Sequence, residues 1–177
     1  MIFQLNNDKL KLVEIKTKFQ HGGIIISILK NEVLRDVGAL ARCIQSISDI
    51  KFREIKLQRG QFIFLTRICE YPGINLIDLS NILKVDKATT TKAVQKLMDE
   101  GYVLRERSNE DKRMWHLFSS PKAQNVYAYL IEEENRNMEY CFTGFNPEDR
   151  ERASKLLKRM RENIEQNWKE IKNFQEE

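Results

Sequence analysis

Apolar residues recur along most of the chain at the three- and four-residue spacings that place them on one face of an α-helix. The pattern begins at residue 28 and predicts a long amphipathic helix. Its apolar positions are Leu29, Val33, Val37, Leu40, Ile44 and Ile47. A short helix is expected over 58–65, before the helix-breaking pair Pro72-Gly73. Residues 1–27 have too few apolar positions to define a face. We interpret them as an N-terminal extension whose place in the native protein is left open.

Two capped helices joined by a tight turn are predicted next. Asn75 has the side chain of a helix cap and precedes a helix over 76–83, and Asp86 precedes a second helix that ends at Gly101. Two short helices separated by a turn of a few residues are typical of a helix-turn-helix. The expected inward positions are Leu76, Leu79, Ile82 and Leu83 in the first helix and Thr90, Val94 and Leu97 in the second.

A β-hairpin and two long helices complete the pattern. The β-favouring segments 102–107 and 112–118 flank a polar tip and predict a hairpin, or wing. Ser120 caps a further helix that has Pro121 at its first position, and Pro147 starts the last helix. The sequence therefore predicts a mainly α fold with a small β-wing, in which a winged helix-turn-helix lies between long terminal helices. The apolar seams of the last two helices are Val126, Tyr127, Leu130, Ile131, Met138, Cys141 and Phe142, then Ala153, Leu157, Met160, Ile164, Trp168 and Ile171.

The composition agrees with a mainly helical globular chain. Of its 177 residues, 41% are hydrophobic and 32% charged, and it has only 7 Gly and 3 Pro, few for a fold built on many tight turns. The net charge of +4 means that any surface for nucleic acid must be a local basic patch. The acidic run 132–134 is interpreted as a solvated helix face. No apolar run approaches the roughly 18 residues of a membrane span and no signal-peptide core is evident, so we expect a cytoplasmic protein without membrane contact.

The sequence offers little chemistry for catalysis or metal binding. It has no glycine-rich phosphate loop and no GxSxG motif, so we expect no enzyme and no catalytic residue. Cys43, Cys69 and Cys141 are widely spaced, which disfavours a disulfide framework and favours reduced, buried thiols. His21 and His116 are the only histidines, too few for a convergent metal site. We therefore expect no metal and no cofactor.

Four motifs carry a resemblance to a known family. They are Leu57 with Gln61, the segment 76–80, the segment 97–105, and Glu110-Asp111-Lys112-Arg113 at the wing tip. With these motifs the chain resembles the MarR family of winged-helix transcription regulators over roughly residues 29–172. The most specific motif is the wing tip, because the family has a D-x-R pattern there. Ala123 departs from the glycine that the family often has shortly after the wing, which affects only the local turn.

The resemblance also implies an assembly. In the family the first, fifth and sixth helices interlock as a two-fold dimer. Residues 28–177 are thus expected to form one MarR-like domain, with dimerisation helices in 28–50 and 119–175 and the winged helix-turn-helix in 57–118. Such a dimer would bind a pseudo-palindromic operator with half-sites about 10 bp apart. The alternative is that the terminal helices fold back as an ordinary core of their own chain.

The candidate DNA-binding residues lie on the second helix of the helix-turn-helix and on the wing. Lysine and glutamine can reach base edges or phosphates, and the threonine methyl suits thymine. By the resemblance, Asp111 orients Arg113 into the minor groove, with a plain surface ion pair between them as the alternative. The expected phosphate contacts are Arg105, Arg107 and Lys112. The expected major-groove residues are Lys87, Ala88, Thr89, Thr91, Lys92, Gln95 and Lys96.

The predicted function is sequence-specific binding of double-stranded DNA by a homodimer that regulates transcription as a ligand-released repressor. By the resemblance, a phenolic or lipophilic effector binds between the dimer helices and the winged unit. Phe52, Phe62, Phe64 and Tyr127 either line that pocket or belong to the core. Two other functions stay open. One is a helical protein-interaction adaptor, which would have no use for a basic wing tip; the other is a thiol-based redox-sensing regulator acting through Cys43.

Overall fold

The computed structural model describes residues 30–108 and 112–176, with side chains as far as residue 171. Within those ranges it has the mainly α fold and the small two-stranded wing that the sequence predicts. The chain divides into two units between Leu40 and Ala41. The elements in chain order are α1 (Val33–Lys51), α2 (Gln61–Glu70), α3 (Leu76–Leu83), α4 (Lys87–Asp99), β1 (Val103–Arg107), β2 (Trp115–Ser119), α5 (Pro121–Cys141) and α6 (Pro147–Glu176).

The first two helices begin later than the sequence predicts, for local reasons. The side-chain oxygen of Asn31 accepts a hydrogen bond from the backbone N–H of Val33 at 2.8 Å, which marks the start of α1. Arg59 and Gly60 have positive φ angles of 57° and 70°, a conformation that an α-helix cannot include, so α2 starts at Gln61. It then continues to Glu70, past the predicted end, and stops before Pro72.

The helix-turn-helix has the predicted caps. The Asn75 side chain accepts the backbone N–H of Asp78 at 2.9 Å, and Asp86 accepts that of Thr89 at 2.8 Å. Lys84 ends α3 in the left-handed conformation. These bonds satisfy amide groups that a helix start otherwise leaves unpaired, and they fix the direction of each helix.

One inward position predicted for α3 is wrong. Ile82 is 42% exposed, whereas Leu79 and Ser80 are buried. The buried arc of α3 is therefore centred towards Ser80, whose hydroxyl is satisfied by donating to the carbonyl of Ile77 at 2.9 Å. Because Ile82 lies on the other side of Leu79, it falls outside the arc.

The core lies between α2, α3, α4, the wing and the first half of α5. Burial of each large aliphatic side chain there contributes about 1.5–3 kcal/mol to folding. Tyr102 joins α4 to the wing and is almost fully buried, and its hydroxyl donates to the carbonyl of Ile55 at 2.8 Å. The fully or almost fully buried aliphatic residues are Leu57, Leu65, Ile68, Leu79, Leu97, Leu117 and Leu130.

The wing is an antiparallel hairpin fixed at its base. Val103 pairs with Ser119 and Arg107 with Trp115. Gly73 donates its N–H to the carbonyl of Leu117 at 2.8 Å, and Leu117 donates to Ile74 at 2.9 Å. These two hydrogen bonds hold the segment between α2 and α3 alongside β2.

The long helices leave much of their apolar surface uncovered. Met138 in α5 and half of the α6 seam are exposed in the single chain. The expected burial of Cys43 and Cys141 is also wrong in the single chain, where both are exposed. The exposed seam residues are Val33, Val37, Leu40 and Ile47 in α1 and Leu157, Ile164 and Ile171 in α6.

The acidic run of α5 is not wholly solvated, contrary to the sequence interpretation. Glu133 is only 4% exposed. Its carboxylate lies 3.4 Å from Lys51 Nζ and 3.1 Å from the Arg136 guanidinium, so its charge is paired rather than hydrated. Burial raises the pKa of Glu134, an effect that Arg67 opposes and Glu70 reinforces. Glu132 alone of the three is largely exposed.

Candidate nucleic-acid interface

Helix α4 presents one polar face to solvent and one face to the core. Thr90, Val94 and Leu97 are buried, as the sequence predicts. The Thr90 hydroxyl donates to the carbonyl of Asp86 at 2.9 Å, so this buried threonine is satisfied within the helix. The opposite face carries all seven major-groove candidates in exposed positions: Lys87, Ala88, Thr89, Thr91, Lys92, Gln95 and Lys96.

The side chains of this face differ in how far they are already engaged. Thr91 donates its hydroxyl to the carbonyl of Lys87 at 2.8 Å, which leaves its methyl group and lone pairs for another contact. The Gln95 amide donates to Asp99 at 2.8 Å. Lys87, Lys92 and Lys96 form no ion pair with any carboxylate in the described part of the chain. The face thus combines three uncompensated positive charges with short polar side chains.

The start of α4 is shaped by Asp86. Hydrogen bonds from the side chain and backbone of Thr89 lower the pKa of the Asp86 carboxyl, so it stays ionised as the helix cap. The negative charge suits the positive end of the helix dipole. The cap therefore orients the first turn, where Lys87 and Thr89 lie.

The wing carries the second group of candidates. Arg105, Arg107, Lys112 and Arg113 are exposed. Asp111, the predicted orienter of Arg113, lies outside the described residues, so that pairing stays a prediction. Arg113 borders a shallow open pocket together with Lys87 at the start of α4, which brings a wing candidate and a helix candidate to one place.

Two contacts that sequence reasoning missed stabilise the wing. The guanidinium groups of Arg105 and Arg107 both lie over the indole ring of Trp115. His116 Nδ1 lies 2.6 Å from the carbonyl of Gly73, and because a carbonyl only accepts, this nitrogen is the donor. Alternation along β1 puts both arginines on one face, but only the observed register shows that Trp115 shares it.

Comparison with known proteins agrees with this geometry. Residues 57–114 match the sequence profile of the MarR family. The uncharacterized HTH-type transcriptional regulator YybA of Bacillus subtilis is 38% identical over 142 residues, which span 80% of this chain and 95% of YybA. The chain belongs to the MarR family of transcriptional regulators.

Solved structures of this family superpose on the chain. A MarR protein from Peptoclostridium difficile is 51% identical, covers 86% of this chain and 99% of its own, and has a TM-score of 0.80. A MarR family transcriptional regulator from Listeria monocytogenes, solved in complex with a 26mer DNA, is 34% identical, with 84% and 96% coverage and a TM-score of 0.77. The family assignment therefore rests on most of the chain and on most of each relative.

The effector-pocket candidates of this MarR-family chain are mainly packed inside. Phe52, Phe62 and Phe64 are buried in the core, and the Phe52 and Phe62 ring centroids are 5.2 Å apart. Tyr127 is half-buried and donates to Glu70 at 3.3 Å, while Glu70 pairs with Arg67. These contacts fit the core role that the sequence left open, and the pocket stays a prediction.

The other chemistry of this MarR-family chain is sparse. Burial raises the pKa of the Cys69 thiol, which disfavours a reactive thiolate there. No group of three or more His, Cys, Asp or Glu residues that could hold a metal occurs in residues 30–108 and 112–176. Among the helices in those ranges, none is long and apolar enough to cross a membrane.

Proposed function

We propose that this chain binds double-stranded DNA with α4 in the major groove and the wing against the adjacent minor groove. The observation that carries the proposal is the exposed polar and basic face of α4, opposite its buried face. Lysine and glutamine on such a face can reach phosphates and base edges. The Listeria monocytogenes relative in complex with DNA supports it, since that protein is 34% identical over most of both chains.

We further propose that the chain acts as a homodimer on a pseudo-palindromic operator. The exposed seam of α6, with Leu157 and Ile164, supports this, because an uncovered apolar stripe at helical spacing is what a second copy would bury. Two symmetry-related α4 helices would then reach half-sites about one helical turn apart, roughly 10 bp.

The last part of the proposal is repression that a small phenolic or lipophilic effector relieves. Its support is the family resemblance alone, because the rings of Phe52, Phe62 and Phe64 are packed in the core. Thermal melting with salicylate as the probe tests it. A rise in Tm together with weaker DNA binding supports an effector site, whereas no change in either argues against phenolic effectors.

The decisive experiment for DNA binding is fluorescence anisotropy with the promoter duplex upstream of the chain's own coding sequence and a scrambled duplex, over a salt series. We expect tighter binding to the promoter and a steep loss with salt. Gln95→Ala should reduce the preference for the promoter, whereas Lys96→Ala should weaken both duplexes alike. Weak, equal binding to both would leave only non-specific affinity, and no binding at low salt would favour a protein-interaction adaptor.

A further inference from the structure

Trp115, at the start of β2, lies beside two arginines of the wing. The guanidinium carbon of Arg105 is 4.4 Å from the centroid of the indole ring, and that of Arg107 is 5.0 Å from it. Arg107 is the register partner of Trp115, and Arg105 lies two residues earlier on the same face of β1. Cations within about 6 Å of an aromatic centroid are attracted by the ring's quadrupole, so both arginines are held by one side chain.

This contact with the ring leaves the N–H groups of both arginines available. A guanidinium group contacts a ring through its flat face, while its N–H groups point outward in its own plane. Arg105 and Arg107 are exposed, and neither bonds or ion-pairs with an acceptor in the described ranges. Within the described chain, their contact with Trp115 therefore restrains them.

The surroundings of Trp115 point to a partner with negative charge. Trp115 borders the shallow pocket that Lys87 and Arg113 also line, at the junction of α4 and the wing. Cationic side chains from both elements thus lie around one half-buried indole. The sugar-phosphate backbone of a nucleic acid, with regularly spaced anions and less polar sugars, has the chemistry that fits this junction.

We propose that Trp115 is a positioning residue for the DNA backbone: its ring holds Arg105 and Arg107 with their N–H edges outward, so that both contact phosphates beside the wing. This inference rests on the proposed DNA binding. The gain comes from preorganisation, since arginines that are already restrained lose less side-chain freedom when they bind. The contacts are to phosphates, so they strengthen binding without selecting a base sequence.

A double-mutant cycle tests the proposal. Trp115→Leu keeps an apolar side chain but removes the ring, and we expect it to weaken binding to the promoter and scrambled duplexes equally, by about threefold to tenfold. Trp115→Tyr should restore most of the affinity because it restores a ring. In a background that carries Arg105→Gln and Arg107→Gln, Trp115→Leu should cause no further loss.

A measurement without DNA separates failure of the positioning role from failure of DNA binding. The chain has two tryptophans, so the Trp168→Phe variant reports the emission of Trp115 alone. Replacing both arginines by glutamine should change that emission without a change in circular dichroism. Equal losses from Trp115→Leu in both backgrounds, or an unchanged emission, would overturn the positioning role while the DNA-binding function stands. Failure of the wild type to bind either duplex would instead overturn the proposed function, and the positioning role with it.

Discussion

Apolar residues recur at helical spacing both in the winged region and in the long helices, but they are buried in the first and partly exposed in the second. In the winged region, Leu79, Leu97 and Leu117 are each covered by other parts of the same chain. In α6, Leu157 and Ile164 recur at the same helical spacing but are 45% and 60% exposed. Periodicity therefore predicts which face of a helix is apolar, but it does not predict what covers that face. The buried residues of the winged region are covered within one chain, whereas Leu157 and Ile164 of α6 are not, and we propose that a second copy covers them.

Truncation of a buried residue in the winged region should change the free energy of unfolding more than any other substitution considered below. Leu97→Ala should lower the free energy of unfolding by about 2–5 kcal/mol, because it leaves a cavity among residues that cannot close it. Urea unfolding at several protein concentrations measures the change, which should not depend on concentration. Leu157→Ala is the matched comparison: its cost should be small in dilute protein and grow where the chain self-associates. Equal costs at every concentration would remove the distinction between the two regions.

A second substitution places a charge directly in the apolar seam of α6. Leu157→Glu should weaken self-association at least about a hundredfold, since a charge would enter an apolar interface once from each copy. Asn163→Glu adds the same charge to α6 outside the seam and serves as the control. Sedimentation equilibrium measures the dissociation constant. If both variants associate as the wild type does, the seam is not the dimer interface.

A smaller effect is expected where α5 meets the end of α1. Glu133→Gln removes a buried charge and leaves Lys51 without its carboxylate, so it should cost about 1–2 kcal/mol, moderated by the partial exposure of Lys51 and Arg136. Glu132→Gln, which also loses a contact with Arg136 but lies in solvent, should cost less than about 0.5 kcal/mol. Thermal melts of the two variants give the comparison. Equal losses of stability would mean that the burial of Glu133 does not strengthen its ion pairs.

The smallest expected effect is the pH dependence of the α4 cap. The pKa of Asp86 is lower in the folded chain than in the unfolded one, so its stabilisation is present above the unfolded value and is lost as the pH falls through the folded value. Asp86→Asn keeps a capping oxygen that does not titrate. The Tm of the wild type should therefore fall more than that of the variant in acid. Parallel curves for the two proteins would show that the cap does not contribute to acid unfolding.

Features set by neighbouring residues could be predicted from the sequence. The caps at Asn75, Asp86 and Ser120 and the stop at Gly101 each depend on one side chain and the adjacent backbone. The buried face of α4 follows from the spacing of three and four residues between Thr90, Val94 and Leu97. The helix-turn-helix, its exposed polar face and the resemblance to the MarR family can therefore be recognised without any tertiary contact.

Features set by distant residues could not be predicted in this way. The burial of Glu133 depends on Lys51, which lies in another helix, and the exposure of Ile82 depends on how α3 is rotated against the core. The contact of two arginines with Trp115 depends on the register of two strands. Sequence spacing contains no information about these relations unless the fold is already known.

We propose that the winged region contacts DNA and that the long helices join two copies of the chain. Sedimentation velocity of a fluorescent promoter duplex with the wild type and with Leu157→Glu tests it most directly. We predict that the wild type binds as two chains per duplex, and that the variant binds as single chains with much lower affinity but an intact fold. A variant that binds the promoter as tightly as the wild type, or a wild type that binds as one chain, would contradict the claim.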